Sequence, residues 1–350
     1  MRSHQLVEYG KPLVAHDSET PAPRGSEVLV RVTACGVCHS DVHLWEGCFD
    51  LGGGNRLDVT RGRPLPFTFG HEIVGEVVAV GPDARGAALG DRRVVYPWIG
   101  CGECPVCASG QEHLCPTSRP LGVGRPGGYA DHVLVPHARY LFDHGKVPAP
   151  LAGTYACSGI TAWSALAKTR SRVAGRPLLV IGAGGVGMAG LALARELLDA
   201  SQIWVADIDA RKLEAARAAG ADRVVRSSEP AALKELLAGT GGGVAAAVDF
   251  VGAESSATFG FSALARGGKL VVVGLFGGAF HAPLPFFPIK AVSVQGSYVG
   301  SPGEMAELMA LARAGRVPAT PVETRPMAEV TRTLEDLREG RIVGRVAVQP

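Results

Sequence analysis

Metal-ligating side chains fall in two clusters along this sequence. The first is CGECPVCASGQEHLC, in which Cys101, Cys104, Cys107 and Cys115 lie within fifteen residues at C-x2-C-x2-C-x7-C spacing. Four thiolates this close in sequence can fill the tetrahedral coordination of zinc and leave no position for a substrate, which is the chemistry of a structural site. Tight C-x2-C spacing also suits an iron–sulfur centre, and reduced free thiols are a further alternative. His113 sits inside the run and reads as a satisfied surface histidine, not a ligand.

The second cluster is dispersed. Cys38 follows a Val-rich run in CGVCHSDVH, His71 and Glu72 precede another in FGHEIVG, and Cys157 lies in ACSGITAW. For any one of these cysteines a buried free thiol is the commoner explanation. Together they supply two thiolates and one imidazole, the open Cys2His arrangement of a catalytic zinc. Cys35 and Cys48 read as packing residues, with Cys35 the competitor of Cys38.

A third pattern, Gly182-Ala183-Gly184-Gly185-Val186-Gly187, satisfies G-x-G-x-x-G between an apolar run and a helical one. That context suits a dinucleotide site. Gly182 permits the tight turn, Gly184 lets a pyrophosphate approach the backbone, and Gly187 allows close helix–strand packing. The helix N-terminus then faces the phosphate charge. Asp207, 20 residues after Gly187, places a carboxylate where an adenine ribose would lie, which favours NAD over NADP. Arg211 and Lys212 soften that preference. The alternative is a glycine turn with no cofactor.

The elements that must carry these residues differ along the chain. Before residue 150 the runs at 27–37, 72–81 and 92–98 read as strands, with few helical periods. From about 158 strand and helix alternate: PLLVIGAGGVG, a helical MAGLALARELLDA, QIWVADID, then a helix ending at Gly220. Alternation implies a parallel doubly wound sheet. Two further helical stretches and a closing GRVAVQP strand follow 296. GGGNR and GTGGG read as short glycine loops, and the stretch between Cys38 and His71 as a long loop bordering a substrate entrance. Trp98 and Phe49 read equally well as pocket-lining and as core aromatics.

Composition agrees with a folded chain of two domains: 350 residues, 47% hydrophobic and 19% charged. A net charge of +2 gives no electrostatic footprint for nucleic acid or an anionic membrane. The N-terminus lacks an apolar signal region, and no apolar run reaches the ~18 residues of a membrane span, so a cytoplasmic protein is expected. Eight cysteines are then metal ligands or buried thiols sooner than disulfides.

The motifs CHSDVH, GHE, the four-cysteine run, CSGIT, GAGGVG with Asp207, and GRVAVQP, in this order, resemble the zinc-containing medium-chain dehydrogenase/reductase family from end to end. Within it the chain resembles bacterial and archaeal NAD-dependent alcohol dehydrogenases. The resemblance implies a GroES-like β-rich catalytic domain (1–157 and 299–350, with a zinc lobe near 98–116) and a Rossmann domain (158–298). It implies a catalytic zinc held by Cys38, His71 and Cys157, with Glu72 behind it and a transient ligand. Asp41 would fix the His71 tautomer, Ser40 would bond the substrate alcohol, and His43 would complete a proton relay. His39 and Arg345 would lie near the cofactor pyrophosphate and Thr161 near the nicotinamide. The implied reaction is reversible oxidation of a primary or secondary alcohol with NAD, two zincs per subunit, and a tetrameric or dimeric assembly. Polyol, cyclic and aromatic alcohols are alternative substrates. Zinc-free quinone reductases of the superfamily lack these cysteines. A zinc-stabilised NAD-binding protein without activity would keep the four-cysteine run but would not need Cys38, His71, Cys157 and the relay.

Overall fold

β-branched residues crowd the run that becomes the strand Val28–Gly36, which is buried along nearly its whole length. It is the hub of a seven-stranded sheet. Glu72–Val80 and His132–Val135 pair with it antiparallel, as does the last strand, Arg345–Gln349. Its register is what converges the site: Gly36 lies opposite Glu72 on one side and opposite Ala347 on the other. Gly36 cannot carry a side chain, because the Glu72 carboxylate occupies the place of a Cβ.

The computed structural model describes residues 1–61 and 63–350. Its contacts form two units, Met1–Cys48 with Asp58–Ile160 and Gly300–Pro350, and Phe49–Leu57 with Thr161–Val299. The resemblance implies boundaries at 157/158 and 298/299 with 49–57 in the first domain; the contacts put 49–57 in the second unit.

The first unit is β-rich, as its alternating runs imply, but it also holds a helix that the sequence reading did not expect. His39–Glu46 starts at Cys38, whose backbone N–H donates to Asp41 at 3.0 Å, and stops at Gly47 with φ of +81°. Eight residues are too few to show a helical period. Ala149–Thr154 runs on into a π-helical turn, Tyr155–Gly159, that carries Cys157. Such turns recur at functional positions.

The second unit is a six-stranded sheet, all parallel, in the order Arg223–Arg226, Ala200–Asp207, Arg176–Ile181, Val244–Asp249, Leu264–Val272, Ser293–Gly296. This is the doubly wound topology expected from strand–helix alternation. Gly185–Leu197 follows the first strand in sequence and Ala210–Ala218 the second. Asp209 caps the latter by accepting from Arg211 N–H at 2.8 Å, and Gly220, at φ of +98°, ends it. The segment read as an open loop after Cys48 is instead a two-stranded ribbon, Cys48–Gly52 with Asn55–Asp58. Its turn uses Gly53 and Gly54, both with positive φ, and Asp50 accepts a backbone hydrogen bond from Gly278 at 3.3 Å. Among the described residues no helix is long and apolar enough to cross a membrane.

Candidate functional site

In the first unit, one ligand atom each from Cys38, His71, Glu72 and Cys157 lies within 4.8 Å of the others, and all four residues are buried. Sequence separates Cys38 from Cys157 by 119 positions, yet their sulfurs are 3.8 Å apart. A zinc tetrahedron with Zn–S of about 2.3 Å has an S–S edge of about 3.8 Å. Cys35, the competitor of Cys38, is outside this group. It is fully buried with its sulfur near its neighbour's carbonyl, and Cys48 is half-buried, so both pack as expected.

His71 is held on one side only. Its Nδ1 lies 3.1 Å from Asp41 Oδ1, while Nε2 is buried without a hydrogen-bond partner. A carboxylate only accepts, so it keeps the ring proton on Nδ1 and leaves the Nε2 lone pair for a metal. An unmet buried nitrogen would otherwise cost about 1–3 kcal/mol. Without a metal the site favours a proton at that nitrogen: burial opposes it, but Asp41 and Cys38 raise the His71 pKa well above its ordinary value, and a metal would take that proton's place. A hydrogen bond from Cys157 and the adjacent His71 hold the Cys38 thiol well below its ordinary range against the effect of burial. That same bond, together with burial, pushes Cys157 well above it. Two thiolates in this space need a cation to ionise together, which a divalent metal supplies. The donor set therefore fits zinc.

Around these four residues the other expected groups take up distinct positions. Ser40 Oγ–H donates to the Cys38 sulfur at 3.3 Å. His43 is half-buried with its ring centroid 5.2 Å from that of His39, and burial and His39 together lower its pKa to about 4. Asp41 is wholly buried and binds more than His71: Oδ2 accepts from Cys38 N–H and from the hydroxyl of Tyr129, the latter at 2.9 Å. Arg345, expected beside a pyrophosphate, is buried and ion-paired with Glu72. Burial pushes the Glu72 carboxyl up to about 7 in spite of that partner. Trp98 is a core residue: its ring lies 5.3 Å from His71 and its indole N–H donates to Ala156 O at 2.8 Å. Phe49, paired with it in the sequence reading, is half-buried in the other unit.

The four-cysteine run folds on itself. Ligand atoms of Cys101, Cys104, Cys107 and Cys115 lie within 4.8 Å of one another, with sulfur pairs at 3.9 Å. Backbone N–H groups of Cys101, Cys104 and Cys107 each point at a cysteine sulfur at 3.4 Å, as anionic sulfurs require. His113 contradicts its surface reading: it is buried, though outside the sulfur cluster. Its neighbour Glu112 turns inward to accept from Tyr140 OH at 2.7 Å and draws that turn under the surface.

In the second unit each glycine of the turn has its own steric setting. Gly182 has φ of +89° with Val251 packed against it, and a Cβ on Gly187 would meet the Gly182 carbonyl. Gly184 faces open space, which leaves room for a ligand. Gly185 and Val186 begin the helix. Asp207 is buried at the end of its strand, with Oδ2 accepting from Ala183 N–H at 2.7 Å and Oδ1 from Asp209 N–H at 2.9 Å. Thr161 is buried at the start of this unit.

Sequence reasoning missed Tyr129, the Arg345–Glu72 pair and the Trp98–Ala156 bond. No local spacing signals them, since the partners lie 88, 273 and 58 positions apart.

Comparison with known proteins supplies the context. Residues 24–146 match the alcohol dehydrogenase GroES-like domain, and residues 185–314 the zinc-binding dehydrogenase family. The chain is 39% identical to an NAD-dependent alcohol dehydrogenase of Sulfurisphaera tokodaii and 38% identical to one of Saccharolobus solfataricus, each over 100% of both chains. Its fold matches the crystal structure of the alcohol dehydrogenase of Aeropyrum pernix with a TM-score of 0.89, at 30% identity and 100% coverage of both chains.

Proposed function

Since the chain belongs to the zinc-containing medium-chain dehydrogenase/reductase family, we propose that it oxidises alcohols reversibly to aldehydes or ketones with NAD, at the cluster formed by Cys38, His71 and Cys157. The observation that carries this reading is the buried, open ligand set: two sulfurs at 3.8 Å and an imidazole nitrogen with no partner in the protein. The chemistry that zinc supplies there is Lewis acidity toward the alcohol oxygen, and that supplied by NAD is acceptance of hydride.

The chain's own residues do the rest. Asp41 holds His71 in the tautomer whose Nε2 is a donor to metal. Glu72 stands beside the ligands, with Arg345 compensating its charge. Ser40 Oγ, next to Cys38, takes the hydrogen bond of the alcohol hydroxyl. His43, kept neutral by burial and by His39, accepts the departing proton at a ring nitrogen. Gly182, Gly184, Gly185, Val186 and Gly187 form the bed for the pyrophosphate, and Asp207 accepts from the adenine-ribose hydroxyls. Thr161 belongs to the cofactor's surroundings in the same unit. Cys101, Cys104, Cys107 and Cys115 would hold a second, structural zinc.

Primary and secondary alcohols are the proposed substrates. Eight cysteines without a disulfide support the reducing cytoplasm as its compartment. A dimer at least, and a tetramer by preference, is supported by the edge strand Ser293–Gly296, largely exposed at the end of the six-stranded sheet. The test of the function is NADH formation by the zinc-loaded protein over a panel of primary, secondary, cyclic and polyhydric alcohols. Turnover with a simple alcohol is expected; metal-replete protein that reduces no NAD with any of them would overturn the reading.

A further inference from the structure

We propose that Tyr129 is a positioning residue for the catalytic metal, acting through Asp41 on both His71 and Cys38. This inference rests on the proposed metal site.

Asp41 has two oxygens and three donors. Oδ1 faces His71 Nδ1 at 3.1 Å; Oδ2 accepts from the Cys38 backbone N–H at 3.0 Å and from the Tyr129 hydroxyl at 2.9 Å. All of these groups are buried, with Asp41, His71 and Tyr129 showing no accessible surface. The carboxylate plane is therefore set by what holds Oδ2. The Cys38 amide alone would leave the carboxylate free to swing about that one bond. The Tyr129 hydroxyl adds a second anchor from the segment before the strand His132–Val135 and fixes the direction in which Oδ1 meets the imidazole.

Tyr129 is itself rigid. Its backbone N–H donates to Phe69 O at 2.9 Å, and its carbonyl accepts from His4 N–H at 2.8 Å. Its ring packs where a side chain on Gly70 would stand, and Gly70, at φ of +91°, is the residue immediately before His71. One residue thus touches the backbone that leads into His71 and the carboxylate that orients it. Groups that orient a metal-binding histidine commonly change metal affinity 10- to 100-fold when removed, and Tyr129 stands one bond further out, so an effect of about tenfold is expected.

The experiment compares wild type, Tyr129→Phe and Tyr96→Phe in the zinc-loaded protein. Tyr96 is an equally buried tyrosine whose hydroxyl donates to Gly300 O at 2.7 Å, and its loss controls for general loosening. Two quantities are read: the rate at which a chelator withdraws the zinc that Cys38→Ser abolishes, and the NMR resonance of the His71 Nδ1 proton. Tyr129→Phe should release that zinc about tenfold faster and shift or broaden the resonance, with Tyr96→Phe changing neither. Wild-type behaviour of Tyr129→Phe, or equal effects in both variants, overturns the proposal. Should Tyr129→Phe fail to fold, the wild type decides: the Tyr129 hydroxyl proton must shift when that zinc is withdrawn, and a resonance blind to the metal overturns the role. If wild type holds no zinc that depends on Cys38, the site assignment itself fails, which is a separate result.

Discussion

The carboxylate of Asp207 accepts a 2.7 Å hydrogen bond from the backbone N–H of Ala183, inside the glycine turn and 24 residues earlier. The residue read as the cofactor selector therefore also braces the turn that would cradle the pyrophosphate. Charge-assisted bonds to ribose hydroxyls contribute about 1.5–3 kcal/mol each, while a 2′-phosphate would meet repulsion. We expect NAD to be favoured over NADP by about a hundredfold or more in kcat/KM. Asp207→Gly should raise KM for NAD and relieve the exclusion of NADP, with kcat at saturating NAD changed much less. It should also lower stability, because the Ala183 amide loses its acceptor. Asp207→Asn keeps one oxygen, enough for the Ala183 N–H but not for the Asp209 N–H as well, so it should relax the selectivity with a smaller loss of stability than Asp207→Gly. Comparable kcat/KM for both cofactors in the wild type would defeat this account.

The two metal clusters should separate by phenotype. Elemental analysis of protein purified without chelator should approach two zincs per chain. Cys38→Ser should abolish turnover and one zinc while the protein stays folded, since it opens a site that Asp41, Trp98 and Arg345 still surround. Cys104→Ser should mainly lower Tm, because it breaks a closed set of four sulfurs on a partly exposed lobe. An unchanged Tm in Cys104→Ser, or near-normal turnover in Cys38→Ser, would reverse the roles.

Trp98 ties together the segments that carry His71 and Cys157: its ring lies against His71, and its N–H holds the carbonyl next to Cys157. Trp98→Phe keeps an aromatic ring but removes the indole donor to the buried Ala156 carbonyl, a net loss of about 0.5–1.5 kcal/mol. Thermal melts should register that loss, and the zinc that depends on Cys38 should leave faster. If both melting and zinc retention match wild type, the tie carries no energy.

The edge strand Ser293–Gly296 is largely exposed, and the chain that precedes it carries exposed Leu275, Phe276, Leu284, Phe286 and Ile289. Pairing of two such edges would continue the sheet and cover this apolar surface. Light scattering at micromolar concentration should give a dimer or tetramer, and a charge at Ile289, as in Ile289→Glu, should shift the protein toward monomer. A monomeric wild type would remove the proposal.

Two chemical features were legible in the residues alone because their geometry is local. Four cysteines within fifteen positions can scarcely avoid one another, and a strand–glycine–helix turn has its shape set by the φ of Gly182 and the bulk excluded at Gly187. The division into a β-rich part and a parallel α/β part followed from side-chain periodicity, which is local as well. Short or glycine-rich segments escaped this reading: the helix His39–Glu46 is too brief to display a period, and the ribbon after Cys48 hides its strands among polar residues.

What the sequence by itself determined was the inventory: enough sulfur and imidazole for an open and a closed metal site, a glycine turn between strand and helix, and a carboxylate at the end of the next strand. What only the tertiary structure decided was the selection among equivalents. Cys38 joins His71 and Cys157 while Cys35, three residues away, is packed aside, because the strand Val28–Gly36 ends and a helix begins at Cys38. Arg345 meets Glu72, and Tyr129 meets Asp41, because strand register brings Gly36 opposite both Glu72 and Ala347 and chain packing buries the groups together. His113 is buried for the same kind of reason. Such pairings join residues up to 273 positions apart, and buried polar groups must find partners wherever the packed chain supplies them.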